Sequence, residues 1–279
     1  MLLIFPPVAK PCEPPAGIAR LAAALHGSGI RCRLLDANLE GMLWLLGQPC
    51  NADDTWSRRA VKNLPANLAA LRAPATYRSF DRYSRAVRDV NRVLGVAGRE
   101  SGATVGLGDY RHSRLSPLLS SDLLYAAEHP EENPFHPWFS RRLAECLDGV
   151  AVAGFSLNYL SQALCAFAMI GFVRKHAPRI TIVLGGGLVT SWLSRPGWRS
   201  PFGGLVDHLV AGPGEPFLLA LAGAGTPAQP VTPDYSALPL CDYLSPGAIL
   251  PYSAAGGCYW NRCSFCPERA EGNVYAPLP

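Results

Sequence analysis

The sequence predicts an α/β protein. Its core is a doubly wound parallel sheet of flavodoxin- or Rossmann-like type, broken once by a helical insertion and followed by a short cysteine-bearing segment. Three observations predict it. Leu2–Phe5, the helical period of Gly17–Gly29 and Ile30–Leu35 make one strand–helix–strand unit, and a βαβ unit implies parallel strands. The same alternation returns over residues 150–221 after a stretch of different character. Glycine-bearing turns then stand where later strands end, on the edge at which open α/β sheets bind ligands.

Composition sets the frame. The chain has 279 residues, 49% of them apolar and 16% charged, enough for a substantial core and too few charges for a disordered chain. The net charge of +4 is small and the arginines are dispersed, which disfavours nucleic acid as a partner. The nine cysteines are odd in number, and Met1–Phe5 lacks a basic flank and stops at Pro6-Pro7, so no secretory signal is read. A reducing, cytoplasmic setting is expected. Ala151–Val173 carries no charge and is long enough to cross a bilayer. It also holds Ser156, Asn158, Ser161 and Gln162, and opens like a strand, so it reads as a buried strand and then a buried helix, with no membrane partner.

In order, Leu2–Phe5 is an apolar strand and a proline-rich loop follows. Ile18, Leu21, Ala22 and Leu25 recur at helical spacing, and Gly27-Ser28-Gly29 stops that helix. Ile30–Leu35 is the second strand, and Asp36–Gly41 after it reads as a loop in which Asp36 and Asn38 fix turns or touch a ligand. Residues 41–147 hold helical stretches at Trp56–Leu71, Phe80–Val96 and Trp138–Leu147. Arg82, Arg85, Arg88 and Arg92 lie on one face of the second, read as a solvated face in preference to a phosphate site. Strands resume at Val150–Ser156, Ile180–Leu184 and Val206–Val210, the last two running into Gly185-Gly186-Gly187 and Gly212-Pro213-Gly214-Glu215. Pro216 suits the first turn of a helix. Ala224–Pro239 reads as linker, and Ala248–Tyr252 as one more strand. The expected domains are 1–47 with 148–223 (α/β), 48–147 (helical insertion), 224–247 (linker) and 248–279 (the start of a further domain).

Two places carry chemistry. Gly185, Gly186, Gly212 and Gly214 allow close backbone approach to a ligand, with Glu215 beside them. The loop after the first strand lacks Gly-x-Gly-x-x-Gly, which disfavours an ordinary dinucleotide. The second place is Cys258, Cys263 and Cys266, three thiols within one short loop. Zinc would need a fourth ligand, Cys241 or His208, neither in a paired spacing. A disulfide with a free thiol does not suit a reducing compartment. An iron–sulfur cluster on three thiolates fits best, leaving one iron open.

The loop Cys258-Tyr259-Trp260-Asn261-Arg262-Cys263-Ser264-Phe265-Cys266 resembles the cluster loop of radical S-adenosylmethionine enzymes. Its first gap has four residues instead of the usual three. That variant resembles the subgroup with an N-terminal cobalamin-binding-type domain, as do Gly154-Phe155-Ser156, Gly185-Gly186 and Gly212-x-Gly214-Glu215. The resemblance implies a 4Fe–4S cluster on Cys258, Cys263 and Cys266, S-adenosylmethionine on the open iron and Phe265 beside its adenine. It further implies reductive cleavage of S-adenosylmethionine to a radical, an external electron donor, and a small-molecule or peptide substrate. Ser156, Gly185, Gly186, Gly212, Gly214 and Glu215 would serve the cofactor of the α/β domain, cobalamin in that subgroup. Asn38 stands where some cobalamin domains place a histidine ligand, so cobalamin would bind without one from this domain. Ala248–Tyr252 would open the partial (β/α)6 barrel, and the chain reads as the front part of a longer one. The contrasting expectation is a non-catalytic cobalamin- or nucleotide-binding module with a structural zinc site.

Overall fold

The computed structural model describes residues 1–225, 231–264, 266 and 274–277. The α/β core opens with β1 (Leu2–Phe5), α1 (Ala16–Gly27), β2 (Arg33–Asp36) and α2 (Ala37–Leu46). An insertion follows: α3 (Thr55–Lys62), α4 (Leu64–Arg72), α5 (Phe80–Ala97), β3 (Ala103–Val105), β4 (Tyr110–His112), α6 (Ser120–Glu128) and α7 (His136–Cys146). The core resumes with β5 (Val152–Ser156), α8 (Leu160–His176), β6 (Thr181–Gly185), α9 (Gly187–Leu193), β7 (His208–Leu209) and α10 (Glu215–Leu221). Near the C-terminus β8 (Ala255–Gly256) and β9 (Ala276–Pro277) pair antiparallel.

Five strands form one parallel sheet in the order β2-β1-β5-β6-β7. Set aside the insertion and this is the doubly wound 2-1-3-4-5 order, with its topological switch between β1 and β5. The alternation of strand side chains divides the core. Leu2 and Ile4 of β1 face the layer that holds α8, while Leu3 and Phe5 face α1 and α10 through Ile18, Leu25, Leu218 and Leu219. The uncharged run 151–173 divides into β5 and most of α8, as expected. Cys165, Phe167, Met169 and Ile170 of that helix are fully buried. Among the described residues no helix is long and apolar enough to cross a membrane.

The insertion is no detached cap. Val90, Leu94, Phe135 and Phe139 share one apolar core with Leu35, Phe155 and Phe167 of the sheet layer. Nor is it purely helical. Strands β3 and β4 make an antiparallel hairpin, with Gly106 and Asp109 closing its turn through a 2.9 Å backbone hydrogen bond. The expected arginine face is as read: Arg82, Arg85, Arg88 and Arg92 of α5 are all exposed.

One expected strand does not form. Residues 248–252 have no regular structure, because no strand lies beside them among the described residues to complete their backbone hydrogen bonds. The segment is held from the side, where the Tyr235 hydroxyl donates to Pro251 O at 2.6 Å. The residues before it, 231–247, lie against the α/β core as a strap. Leu244 N donates to Pro11 O at 2.8 Å, Asp234 N to Ala19 O at 3.2 Å, and Tyr235 and Leu238 pack on Ala19. The Tyr243 hydroxyl donates to Asp36 Oδ2 at 2.6 Å, both side chains being buried.

Candidate functional site

The turns after β5, β6 and β7 are stitched into one rim. Leu157 N donates to Gly185 O at 2.7 Å, and Gly187 N donates to Asn158 Oδ1 at 3.0 Å, joining the first two turns. Thr190 on α9 joins the second to the third: its hydroxyl donates to Gly186 O at 3.0 Å and accepts from Gly212 N at 2.9 Å. Glu215, in the first turn of α10, forms an ion pair with Arg20 on α1. That ties the rim to the helix after β1.

The rim encloses a cleft of about 580 Å³, a size that suits a small molecule or part of a cofactor. All six residues expected to serve the α/β domain's cofactor line it: Ser156, Gly185, Gly186, Gly212, Gly214 and Glu215. Its floor is apolar, built by Leu3, Ile18, Val183 and Leu218 from the sheet face and the two helices above it. Gly186 is obligatory by two measures. Its φ of 107° is open only to glycine, and a Cβ there would come 2.5 Å from Leu157 O. At Gly154, also on the wall, a Cβ would come 2.8 Å from the Leu3 side chain.

Polar groups at this edge serve first to hold the turns. Gln162 on α8 is completely buried. Its side-chain oxygen accepts from Asn158 N (2.9 Å) and Tyr159 N (3.1 Å), and its amide donates to Pro6 O at 2.7 Å. It thus fixes the loops after β1 and β5, the two strands of the switch point. The Ser156 hydroxyl accepts from the Asn158 amide at 3.1 Å. The sequence pattern does not mark Arg20, Asn158, Gln162 or Thr190 as site residues. The legible signal is the polar pair Asn158 and Gln162, four apart in an uncharged run that also holds Ser156 and Ser161.

Asp36 and Asn38 stand apart from the cleft, and the stretch expected as a loop is the start of α2, because the Asp36 side chain caps a helix there. Asp36 caps α2 by accepting from Leu39 N at 2.9 Å, and Asn38 Oδ1 accepts from Ala9 N at 2.8 Å. Burial pushes the Asp36 carboxyl up to about 6, while the Tyr243 hydroxyl and Leu39 N–H pull it back toward the ordinary range.

The cysteine segment meets the same cleft. Gly256 and Gly257, just before Cys258, and Val274 opposite them complete its wall. Gly257 has φ 66°, and a Cβ there would lie 2.5 Å from Val274 O, so this crossing needs glycine. Asn261 takes a left-handed φ of 41°, and Cys266 N donates to Cys263 O at 3.3 Å, closing a turn between those two cysteines. The Arg262 guanidinium stands 5.6 Å from the Trp260 ring. Phe265 lies outside the described residues. Among the described residues no three His, Cys, Asp or Glu side chains gather as a metal-ligand group. Cys241 is exposed on the strap, and His208 of β7 packs its ring on Phe217, with centroids 5.2 Å apart. The donor set itself suits a thiophilic metal: Cys258, Cys263 and Cys266 are partly accessible and free of disulfides. Ligand loops of this kind commonly close only as the metal enters.

The chain matches no protein-family model, no curated protein and no solved structure.

Proposed function

We propose that the chain carries the α/β cofactor-binding domain and the cluster loop of a radical S-adenosylmethionine enzyme of the cobalamin-binding type. One observation carries the reading. The glycine-lined cleft at the sheet's C-terminal edge is completed by Gly256 and Gly257, so the cysteine loop begins at the mouth of the α/β domain's own ligand site. A cofactor in the cleft and a cluster on the loop would be neighbours, as an enzyme that couples the two requires.

The chain's own residues do the holding. The apolar floor of Leu3, Ile18, Val183 and Leu218 takes a slender apolar portion of the cofactor and excludes water from it. The glycines of the rim bring backbone N–H and C=O groups within reach of its polar parts. The Glu215 carboxylate is committed to Arg20, so its part is to hold α10 against α1. Cys258, Cys263 and Cys266 would hold the 4Fe–4S cluster, which when bound supplies the electron for cleaving S-adenosylmethionine. The substrate would be a small molecule or a peptide, and an external donor would reduce the cluster. No histidine lines the cleft among the described residues, so cobalamin would bind without a histidine ligand from this domain.

Anaerobic reconstitution with iron and sulfide tests the reading. The expected product carries about four irons per chain and the broad visible absorption of a cubane cluster. Cys263→Ala should abolish both. Stoichiometric zinc with no cluster uptake would overturn the proposal in favour of a structural site. Cobalamin is tested separately by equilibrium titration, in which Gly186→Val should lose binding that Cys263→Ala retains.

A further inference from the structure

A second cleft, of about 530 Å³, opens on the other side of the same junction and shares Gly17, Ser156 and Asn158 with the first. Four separate parts of the chain build it. The β1–α1 loop supplies Lys10 and Glu13, the β5–α8 turn supplies Tyr159, the insertion hairpin supplies Gly108, and Pro251 follows the strap. The hairpin tip rests on the lysine: a Cβ at Gly108 would come 3.1 Å from Lys10 Cγ.

Its chemistry differs from that of the first cleft. Lys10 and Glu13 are exposed, and neither forms an ion pair among the described residues. One cation and one anion thus stand on a single wall, while Phe5, Ala9 and Pro14 present buried apolar surface beside them. A polyphosphate would meet one lysine and a repelling carboxylate. A metal ion would find a single carboxylate. A ligand carrying one negative and one positive group on an apolar body satisfies every wall.

We propose that this cleft binds a free α-amino acid with an apolar side chain, its carboxylate on Lys10 and its ammonium on Glu13. The ligand would lie next to whatever occupies the first cleft, across Ser156 and Asn158. This site needs neither a cluster nor cobalamin. It gives the insertion a role: the β3–β4 hairpin closes the amino-acid cleft and sets the path of Lys10.

Calorimetric titration of the full chain with L-phenylalanine, phenethylamine and 3-phenylpropionate tests the proposal. Phenylalanine should bind saturably, and each analogue, lacking one charge, should bind about tenfold more weakly or worse. Lys10→Ala should cost phenylalanine about tenfold and leave phenethylamine unchanged. Glu13→Gln should show the mirror pattern with 3-phenylpropionate. Gly108→Val should weaken phenylalanine by crowding the Lys10 stem. Absence of saturable phenylalanine binding, equal affinity for the three ligands, or an unchanged Lys10→Ala variant would each overturn it. The Lys10 and Glu13 side chains are exposed, so thermal melting of those two variants should report intact folds. Iron and cobalamin uptake by the same variants separates failure here from failure of the cofactor reading.

Discussion

At the scale of single residues, Asp36 and Gly186 concentrate the physical constraints. Asp36 is 2% exposed, and burial raises its carboxyl from 3.8 to about 6. The folded state therefore holds a proton that the unfolded chain releases between those values. Stability from this group is complete below the unfolded value and is lost as pH rises through about 6. The shift corresponds to about 3 kcal/mol, an order-of-magnitude figure. Asp36→Asn keeps one oxygen for Leu39 N and sets an amide NH2, which can donate to the Tyr243 hydroxyl oxygen, in place of the second, so urea unfolding of that variant should lose the fall in stability over roughly pH 4 to pH 6. Tyr243→Phe removes a bond that favours the carboxylate, so the carboxyl should titrate still higher, as carbon NMR of the Asp36 carboxyl would read. Gly186 is limited by backbone, not charge. Gly186→Ala forces alanine to φ 107° and into Leu157 O, and should cost about 1–3 kcal/mol in urea unfolding while distorting the cleft rim. Gly203→Ala, with nothing within 4 Å of the added carbon, is the control and should change stability by less than about 0.5 kcal/mol.

At the scale of elements, the turns of the switch point depend on one helix side chain. Gln162→Leu keeps volume on α8 but strips Asn158 N, Tyr159 N and Pro6 O of their partner inside the protein. Of these three bonds only that to Pro6 O is buried and the other two are part-buried, so a loss of about 1–3 kcal/mol is expected, with ligand affinity of the first cleft falling in parallel. A variant with unchanged urea midpoint would mean that water replaces the side chain. These elements also show what a sequence can and cannot reveal. The five sheet strands were legible because each is a short apolar run ended by a turn residue, and parallel pairing follows from the helices between them. The rim glycines were legible for the same reason, since they stand where β6 and β7 end. The β3–β4 hairpin was missed because three-residue strands carry too little periodicity, although Gly102 and Gly106 bracket Ala103–Val105. Residues 248–252 were misread because an apolar run says nothing about whether a neighbour exists to pair with it. The Asn158–Gly187 and Gln162–Pro6 bonds span 29 and 156 positions, and local pattern holds no trace of such partners.

At the scale of the whole molecule, the strap couples three parts that the sequence presents as separate. It touches the sheet at Asp36 through Tyr243 and the first loop at Pro11 through Leu244. It touches the insertion through Arg72, whose guanidinium donates to Asp242 O at 2.5 Å. From there the chain runs to Pro251 in the second cleft and Gly256 in the first, so the strap's anchors set where the cysteine loop begins. Of the strap's own bonds among the described residues, the one nearest that loop is the 2.6 Å bond from the Tyr235 hydroxyl to Pro251 O, ahead of the β8–β9 pairing. Tyr235→Phe removes only this bond and leaves the ring packed on Ala19. One such bond is worth about 1 kcal/mol, so amide exchange over residues 252–258 should quicken about fivefold, while β5 and β6 keep their protection. If the cysteine loop is positioned by this tether, the same variant should take up iron and sulfide more slowly, with the final content unchanged. Exchange that is unaltered over 252–258 would show that the contacts of Gly257 with Val274 fix the loop by themselves, leaving the strap as a cover for the core.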